Sequence, residues 1–244
     1  MCGRFAVYST IEELAELIRE ALPDLEIEQA RGFVPSYNIA PSAAIVTIGR
    51  SRPEHPHRMA LLKWGLVPSF AKDPTRMAPI NVRSETVLTK PMFRRPIERQ
   101  RCLVPANGFF EWKRAGSRKQ PYFIRRADGR PLLMAGIYDV WRGGEGGAPL
   151  MTCAILTTDS NDWMKPIHHR MPVMVAPEAA ARWCDPQRPA ADVLPLLTPS
   201  PADALEAYPV DARMNSPRHD DPACIAPLPP APDVPGDKVD PEQR

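Results

Sequence analysis

The stretch Leu132-Leu-Met-Ala-Gly-Ile-Tyr-Asp-Val-Trp141, followed by Arg142-Gly-Gly-Glu-Gly-Gly147 and then by Met151-Thr-Cys-Ala-Ile-Leu-Thr157, decides how this chain is read. Two runs of aliphatic, aromatic and β-branched residues flank a glycine-rich segment. That pattern predicts two strands joined by a flexible hairpin loop. The loop is no phosphate cradle, because no Gly-Lys-Ser/Thr follows it and no helix opens there. Working outward, further short β-type runs stand at Ala44–Ile48, Met59–Trp64, Tyr122–Ile124 and Met171–Val175, separated by clusters of Pro, Gly and Arg. Helical signals are few. Thr10-Ile-Glu-Glu13 has the form of a capping box, and Leu14, Leu17, Ile18 and Leu22 then repeat at helical spacing until Pro23. Pro177-Glu-Ala-Ala-Ala-Arg-Trp183 starts a second helix with proline in its first turn. Many short strands with a few helices and no βαβ repeat predict an α+β fold: a curled, largely antiparallel β-sheet or barrel core flanked by a few helices. A single domain is expected over 1–227, with a Pro-rich acidic disordered tail over 228–244.

The chain has 244 residues, 43% hydrophobic and 25% charged, enough to build a core without covalent staples. No run of about 18 apolar residues is present, so no membrane span or membrane partner is expected. Met1-Cys-Gly-Arg-Phe5 lacks the basic and apolar regions of a secretory signal, and the chain is expected to be soluble and cytoplasmic. Five scattered cysteines without Cys-x-x-Cys or Cys/His spacing read as thiols, and neither a metal site nor a cofactor is expected. The net charge of +2 conceals an asymmetry. Between Lys90 and Arg130 twelve basic residues face three acidic ones, a local excess of +9, whereas from Pro201 onward the balance is −5. A basic middle points to a polyanionic partner, unless it is simply a solvated face.

Cys2, next to the initiator methionine, carries the sharpest chemical signal. As an internal residue it would be a small side chain entering a strand. With Met1 removed it becomes a 1,2-aminothiol whose amine and thiol, with ordinary pKa values of about 8 and 8.5, are both partly deprotonated near neutrality. Such a group closes on an aldehyde to a five-membered thiazolidine, and an N-terminal nucleophile also suits amide hydrolysis. Three segments hold the groups that this chemistry requires. Glu111 lies between Phe110 and Trp112, an aromatic setting that raises a carboxyl pKa and suits a proton shuttle. Asn81 and Arg83 fall on one face of an extended segment, an amide beside a guanidinium. His168 and His169 offer proton exchange near pH 7. The apolar loop Trp64-Gly-Leu-Val-Pro-Ser-Phe70 could stack on the bases of a single strand.

Together these segments closely resemble the SRAP family (SOS response-associated peptidase-like proteins), whose members protect abasic sites in single-stranded DNA. The resemblance runs through Met1–Phe5, Tyr37-Asn-Ile-Ala-Pro41, Trp64-Gly-Leu-Val-Pro68, Asn81-Val-Arg-Ser-Glu85, Arg101–Trp112, Gly136-Ile-Tyr138, Thr157-Thr158, His168-His-Arg-Met-Pro172 and Asn215–Asp221. It implies a covalent thiazolidine crosslink between Cys2 and the ring-opened abasic sugar. By motif position it implies catalytic roles for Cys2, Asn81, Glu111 and His168, with DNA contacts from Arg4, Asn38, Pro41, Trp64, Phe70 and Arg83. Crosslink reversal, abasic-site lyase activity, a place in the DNA-damage (SOS) response and a monomeric state follow as expectations. Val82, Phe70, Asn107 and His169 depart from the family's usual Ala, Trp, Asp and Asp. Two other readings stand beside this one: an N-terminal-cysteine peptidase that removes its own Met1, and a non-covalent single-strand binder.

Overall fold

The computed structural model describes residues 2–116, 118–143 and 148–229. In chain order the strands are β1 (Phe5–Val7), β2 (Glu26–Gln29), β3 (Ser36–Ile39), β4 (Ala44–Gly49), β5 (Arg58–Trp64), β6 (Asn81–Arg83), β7 (Arg101–Ala106) and β8 (Gly108–Ala115), then β9 (Arg118–Arg126), β10 (Leu132–Trp141), β11 (Leu150–Asp159), β12 (Arg170–Pro172) and β13 (Leu205–Pro209). Four α-helices accompany them: α1 (Ile11–Ile18), α2 (Pro91–Arg99), α3 (Ala180–Cys184) and α4 (Ala190–Val193). The expected α+β class and barrel core are both present.

Five strands close on themselves in the order β5-β4-β7-β10-β11, with a parallel pairing of β11 to β5 (Thr152↔Lys63, Cys153↔Trp64) sealing the ring. The other pairs around the ring are antiparallel. The hairpin expected at 132–157 forms one of these pairs, Gly136↔Ile155 through Trp141↔Leu150; residues 144–147 of its loop lie outside the described residues. Ile45, Ile48, Val104, Ile137 and Ile155 of these strands are all buried, on one face of the sheet or the other. A second sheet, β13-β9-β8-β1-β3, leans on the barrel. The chain crosses from barrel to sheet where β7 passes into β8 at Asn107. That amide accepts from the backbone N–H groups of Tyr8 (2.9 Å) and Ser9 (3.2 Å) and donates to Ser9 Oγ (2.9 Å). Asn107 therefore ties the link between β1 and α1 to the junction of β7 and β8, and its NH₂ makes a contact that a carboxylate could not donate.

The capping box forms as read: Glu13 N–H donates to Thr10 Oγ1, and Thr10 N–H donates to Glu13 Oε2. α1 buries Ile11, Leu14 and Ile18 but ends there, one turn before Leu22, and Leu17 is half-exposed. The second expected helix begins as a 3₁₀ turn at Pro177–Ala179 and continues as α3. Helix α2 was not anticipated. Pro91 at its first position and Pro96 inside it read as breakers, yet Phe93, Pro96 and Ile97 are buried against the barrel and outweigh the lost backbone bond. Its C-terminus is capped by Arg101, a buried guanidinium that donates to the carbonyls of Ile97, Glu98, Trp183, Asp185 and Arg188. The basic middle is accordingly no single face, since one of its charges is a structural rivet. Of the expected tail, Leu228 N–H donates to Pro209 O, and residues 230–244 lie outside the described residues.

Gly108, paired with Ala6 of β1, is where the second sheet is tightest: a Cβ there would stand 2.3 Å from Phe123 Cζ and 2.7 Å from Ile124 O. Gly108→Ala is expected to destabilise the fold by about 3 kcal/mol, read as a lower urea midpoint; an unchanged midpoint would refute the packing argument.

Candidate active site and nucleic-acid interface

Strand β1 lies between β3 and β8 (Phe5↔Ile39, Phe5↔Phe109), and this pairing draws the start of the chain into the molecule. Cys2 is fully buried. Its carbonyl accepts from Asn81 Nδ2 at 2.7 Å. Asn81 opens β6, which runs parallel to the end of β11 (Ile155↔Asn81 to Thr157↔Arg83). The carbonyl of Ile80, just before it, accepts from Trp64 Nε1 at 2.9 Å. Asn81 Oδ1 is buried without a partner among the described residues. An acceptor left open beside Cys2 is a place for a donor from outside the described residues.

Glu111 projects from the middle of β8, opposite Tyr122 of β9, and is 1% exposed. Burial raises its carboxyl to about 7. His168 Nδ1 stands 3.9 Å from Glu111 Oε1, and both backbone groups of Arg170 lie within reach of the same nitrogen, N at 3.0 Å and O at 3.1 Å. Burial lowers the imidazole to about 4, with the neighbouring charges of His169 and Arg170 acting in the same direction. His169 stacks on it with ring centroids 4.5 Å apart. At pH 7 the imidazole is therefore neutral while the carboxyl is poised between its two forms, the condition for passing protons. Burial first, and then the charge of Glu111, push the Cys2 thiol well up, so it is held protonated until a neighbour accepts the proton.

Asn81 is thus bonded to Cys2, whose thiol feels the charge of Glu111, and Glu111 and His168 line a cleft of about 660 Å³ together with Trp112, Arg114, Lys119 and Lys165. Of the expected DNA contacts, Arg83 and Pro41 are exposed and Phe70 is 66% exposed. Two expectations are corrected. Trp64 has no exposed surface; it packs edge-on to Phe5 and holds the backbone before Asn81, so it cannot stack on a base. Asn38 is buried, its NH₂ directed to the carbonyls of Met214, Ser216 and His219. Arg4 is half-buried and donates to Asn38 Oδ1, Met214 O and Asn215 O. In this state it fastens the segment around 214–219 across β1.

Sequence reasoning gave no role to Glu85, Asp159 or Arg170. The buried Arg170 guanidinium takes Glu85 bidentately (2.7 and 3.0 Å), Asp159 at 2.6 Å and Thr157 O at 2.6 Å. It thereby locks β6, which carries Asn81, to β12, which follows His168. Only the closeness of Glu85 and Arg170 to the motif residues could have signalled this. Trp112 Nε1 donating to Asn215 Oδ1 (2.7 Å) is a second such tie.

The sequence matches the family described as SOS response associated peptidase (SRAP) over residues 1–217. The chain belongs to the SRAP family. A relative in Bacillus subtilis, abasic site processing protein YoaM, is 40% identical over 223 residues, covering 90% of this chain and 95% of that protein. Abasic site processing protein YedK of Escherichia coli is 36% identical over 185 residues, 75% of this chain and 79% of that one. HMCES of Gallus gallus, also named an abasic site processing protein, is 36% identical over 80% of this chain and 67% of its own length. Among solved structures, a Bacteroides thetaiotaomicron protein superimposes with a TM-score of 0.82 at 27% identity, over 93% of this chain and all of that one. The fold is that of an SRAP domain.

Glu111 also fixes a pH dependence. A carboxyl near 7 when folded, against about 4.3 when unfolded, costs nothing while both states are protonated. The cost grows as pH rises from 4 to 7 and is complete above 7. Glu111→Gln removes it and is expected to be more stable than the parent by roughly 2–3 kcal/mol at pH 8, with the difference gone by pH 4. Urea midpoints that coincide at pH 8 would contradict this.

Proposed function

We propose that this chain processes abasic sites in single-stranded DNA by forming a covalent crosslink through Cys2 once Met1 has been removed. The observation that carries the reading is the closeness of Cys2, an aminothiol precursor, to the Asn81 amide and to a carboxyl poised near 7, with that carboxyl and a neutral imidazole lining a basic cleft. The names of the relatives supply the substrate class.

The steps balance without a cofactor. The ring-opened abasic sugar presents an aldehyde. The α-amine of Cys2 adds to it, and loss of water gives an imine, with protonated Glu111 supplying the proton that turns the carbinolamine hydroxyl into water. The thiol then adds across the C=N bond: a C–S bond forms, the sulfur proton leaves through Glu111, and the nitrogen regains a proton as the thiazolidine closes. His168 relays protons between this carboxyl and the sugar oxygen. Asn81 fixes the Cys2 carbonyl and so the orientation of amine and sulfur, a positioning task worth a large factor in rate. By microscopic reversibility the same groups reopen the ring, which is the basis for crosslink reversal. The imine stage is the one from which strand cleavage would start.

A peptidase acting on general substrates is the lesser reading. The cleft is lined by Arg114, Lys119 and Lys165, suited to a phosphate backbone rather than to a peptide.

On denaturing gels, Cys2→Ala is expected to abolish the heat-stable adduct with an abasic single-stranded oligonucleotide, and an adduct surviving in that variant would overturn the assignment. Cys2→Ser keeps the amine but forms no stable ring, so its adduct should require borohydride trapping; a stable adduct without reductant would argue against thiazolidine.

A further inference from the structure

A second basic hollow, of about 210 Å³, lies between α2, the end of β10 and the loop that carries Phe70. Ser69, Arg95, Gln100, Asp139 and Arg142 line it. Resting on the function proposed above, we infer that this hollow is a phosphate-binding subsite for the nucleic-acid strand, with Arg95 and Arg142 as its cations.

The first support is electrostatic. Other arginines of the basic middle are already engaged: Arg101 inside the fold, Arg99 with Pro186 O, Arg125 with Glu206 and Arg126 with Asp128. No ion pair or hydrogen bond holds Arg95 or Arg142 among the described residues. One carboxylate shares the hollow with these two cations, leaving a net positive charge. Asp139, the carboxylate in the wall, is buried and accepts from Ser69 N–H (2.7 Å) and Val140 N–H (2.8 Å). Glu98 of α2 is turned toward Ala190 N–H. Two unengaged guanidiniums at one concavity are the donor set that a phosphate needs.

The second support is mechanical. Asp139 grips Ser69 N–H, and Trp141 Nε1 donates to Ala71 O at 2.7 Å, so the backbone on both sides of Phe70 is fastened to β10. Phe70 is nevertheless 66% exposed. A large aromatic held out by two anchors, with cations at its foot, has the form of a base-stacking platform beside a phosphate contact. The same loop begins at Trp64, whose indole holds the backbone before Asn81. The subsite is thus built on the covalent continuation of the catalytic wall.

The test uses the double variant Arg95→Ala/Arg142→Ala, in which both changed residues lie outside the catalytic cluster and whose melting curve checks the fold. Binding of an undamaged single-stranded oligonucleotide is followed by anisotropy across a salt series. Loss of two phosphate contacts lowers the slope of log K against log[salt] by about 1.4. At saturating abasic oligonucleotide the rate of adduct formation should match the parent. An unchanged slope would overturn the proposal. Inorganic phosphate at matched ionic strength is titrated in parallel against the Ser69 and Val140 amide resonances; saturable shifts combined with an unchanged slope would make the hollow a small-anion site, and would also overturn it. A parent that binds the undamaged strand but forms no adduct would refute the crosslinking function while leaving the subsite to be judged on its slope.

Discussion

The structure depends on burying the second residue of the chain. Termini are ordinarily the least ordered part of a domain, and fixing a residue costs on the order of 1–2 kcal/mol in backbone entropy alone. Here that cost is offset by a chain of short-range ties. β1 has a partner on each side, Asn107 closes its exit, and Asn81 takes the Cys2 carbonyl. Arg4 then draws the segment around 214–219 over the strand. Residues far apart in sequence therefore serve one end, the placement of Cys2 at a defined point. Asn38 and Trp64 belong to this scaffold. Neither is accessible, yet each orders a wall of the site.

Burial then sets the chemistry. The same loss of water that lifts Glu111 lowers His168, because in each case the charged form is the one disfavoured. The two groups end with neutral forms populated near pH 7, so they can stand 3.9 Å apart without demanding a full ion pair. A carboxyl kept at the cost of stability, in a place where glutamine would fit, is the kind of local conflict that marks a functional site. The Arg170 clamp plays the opposite part. Its charge is matched by Glu85 and Asp159, and the energy of that match holds β6 and β12 in the register that brings Asn81 and His168 together.

Legibility in the sequence followed physical locality. The capping box at Thr10 and the strand pair around 132–157 are short-range patterns, and both formed as read. Helix α2 did not show, because Pro96 breaks the local rule and only tertiary burial of Phe93 and Ile97 overrides it. Cys2, Asn81, Glu111 and His168 were readable as residue types suited to one reaction, but their convergence is a property of how β1, β6, β8 and the loop before β12 meet. Spacing could not say whether an aromatic faces solvent. Of two in one loop, Trp64 proved to be core and Phe70 exposed. The bidentate partner of Arg170 lies 85 residues away in sequence and carries no periodic signal at all.

The run of positive charge between Lys90 and Arg130 illustrates the same limit from the side of electrostatics. Read linearly it is one basic segment. Folding sorts it: Arg101 goes inside to cap a helix, Arg125 and Arg126 pair with acids, Arg114 and Lys119 line the catalytic cleft, and Arg95 faces the hollow beside Phe70. A polyanion meeting this surface encounters two separated concavities, with the exposed Phe70 next in sequence to Ser69 of the second. Charge alone would hold any anionic strand. Beyond charge, the exposed ring of Phe70 is the feature of this surface that can tell a strand with unpaired bases from other polyanions.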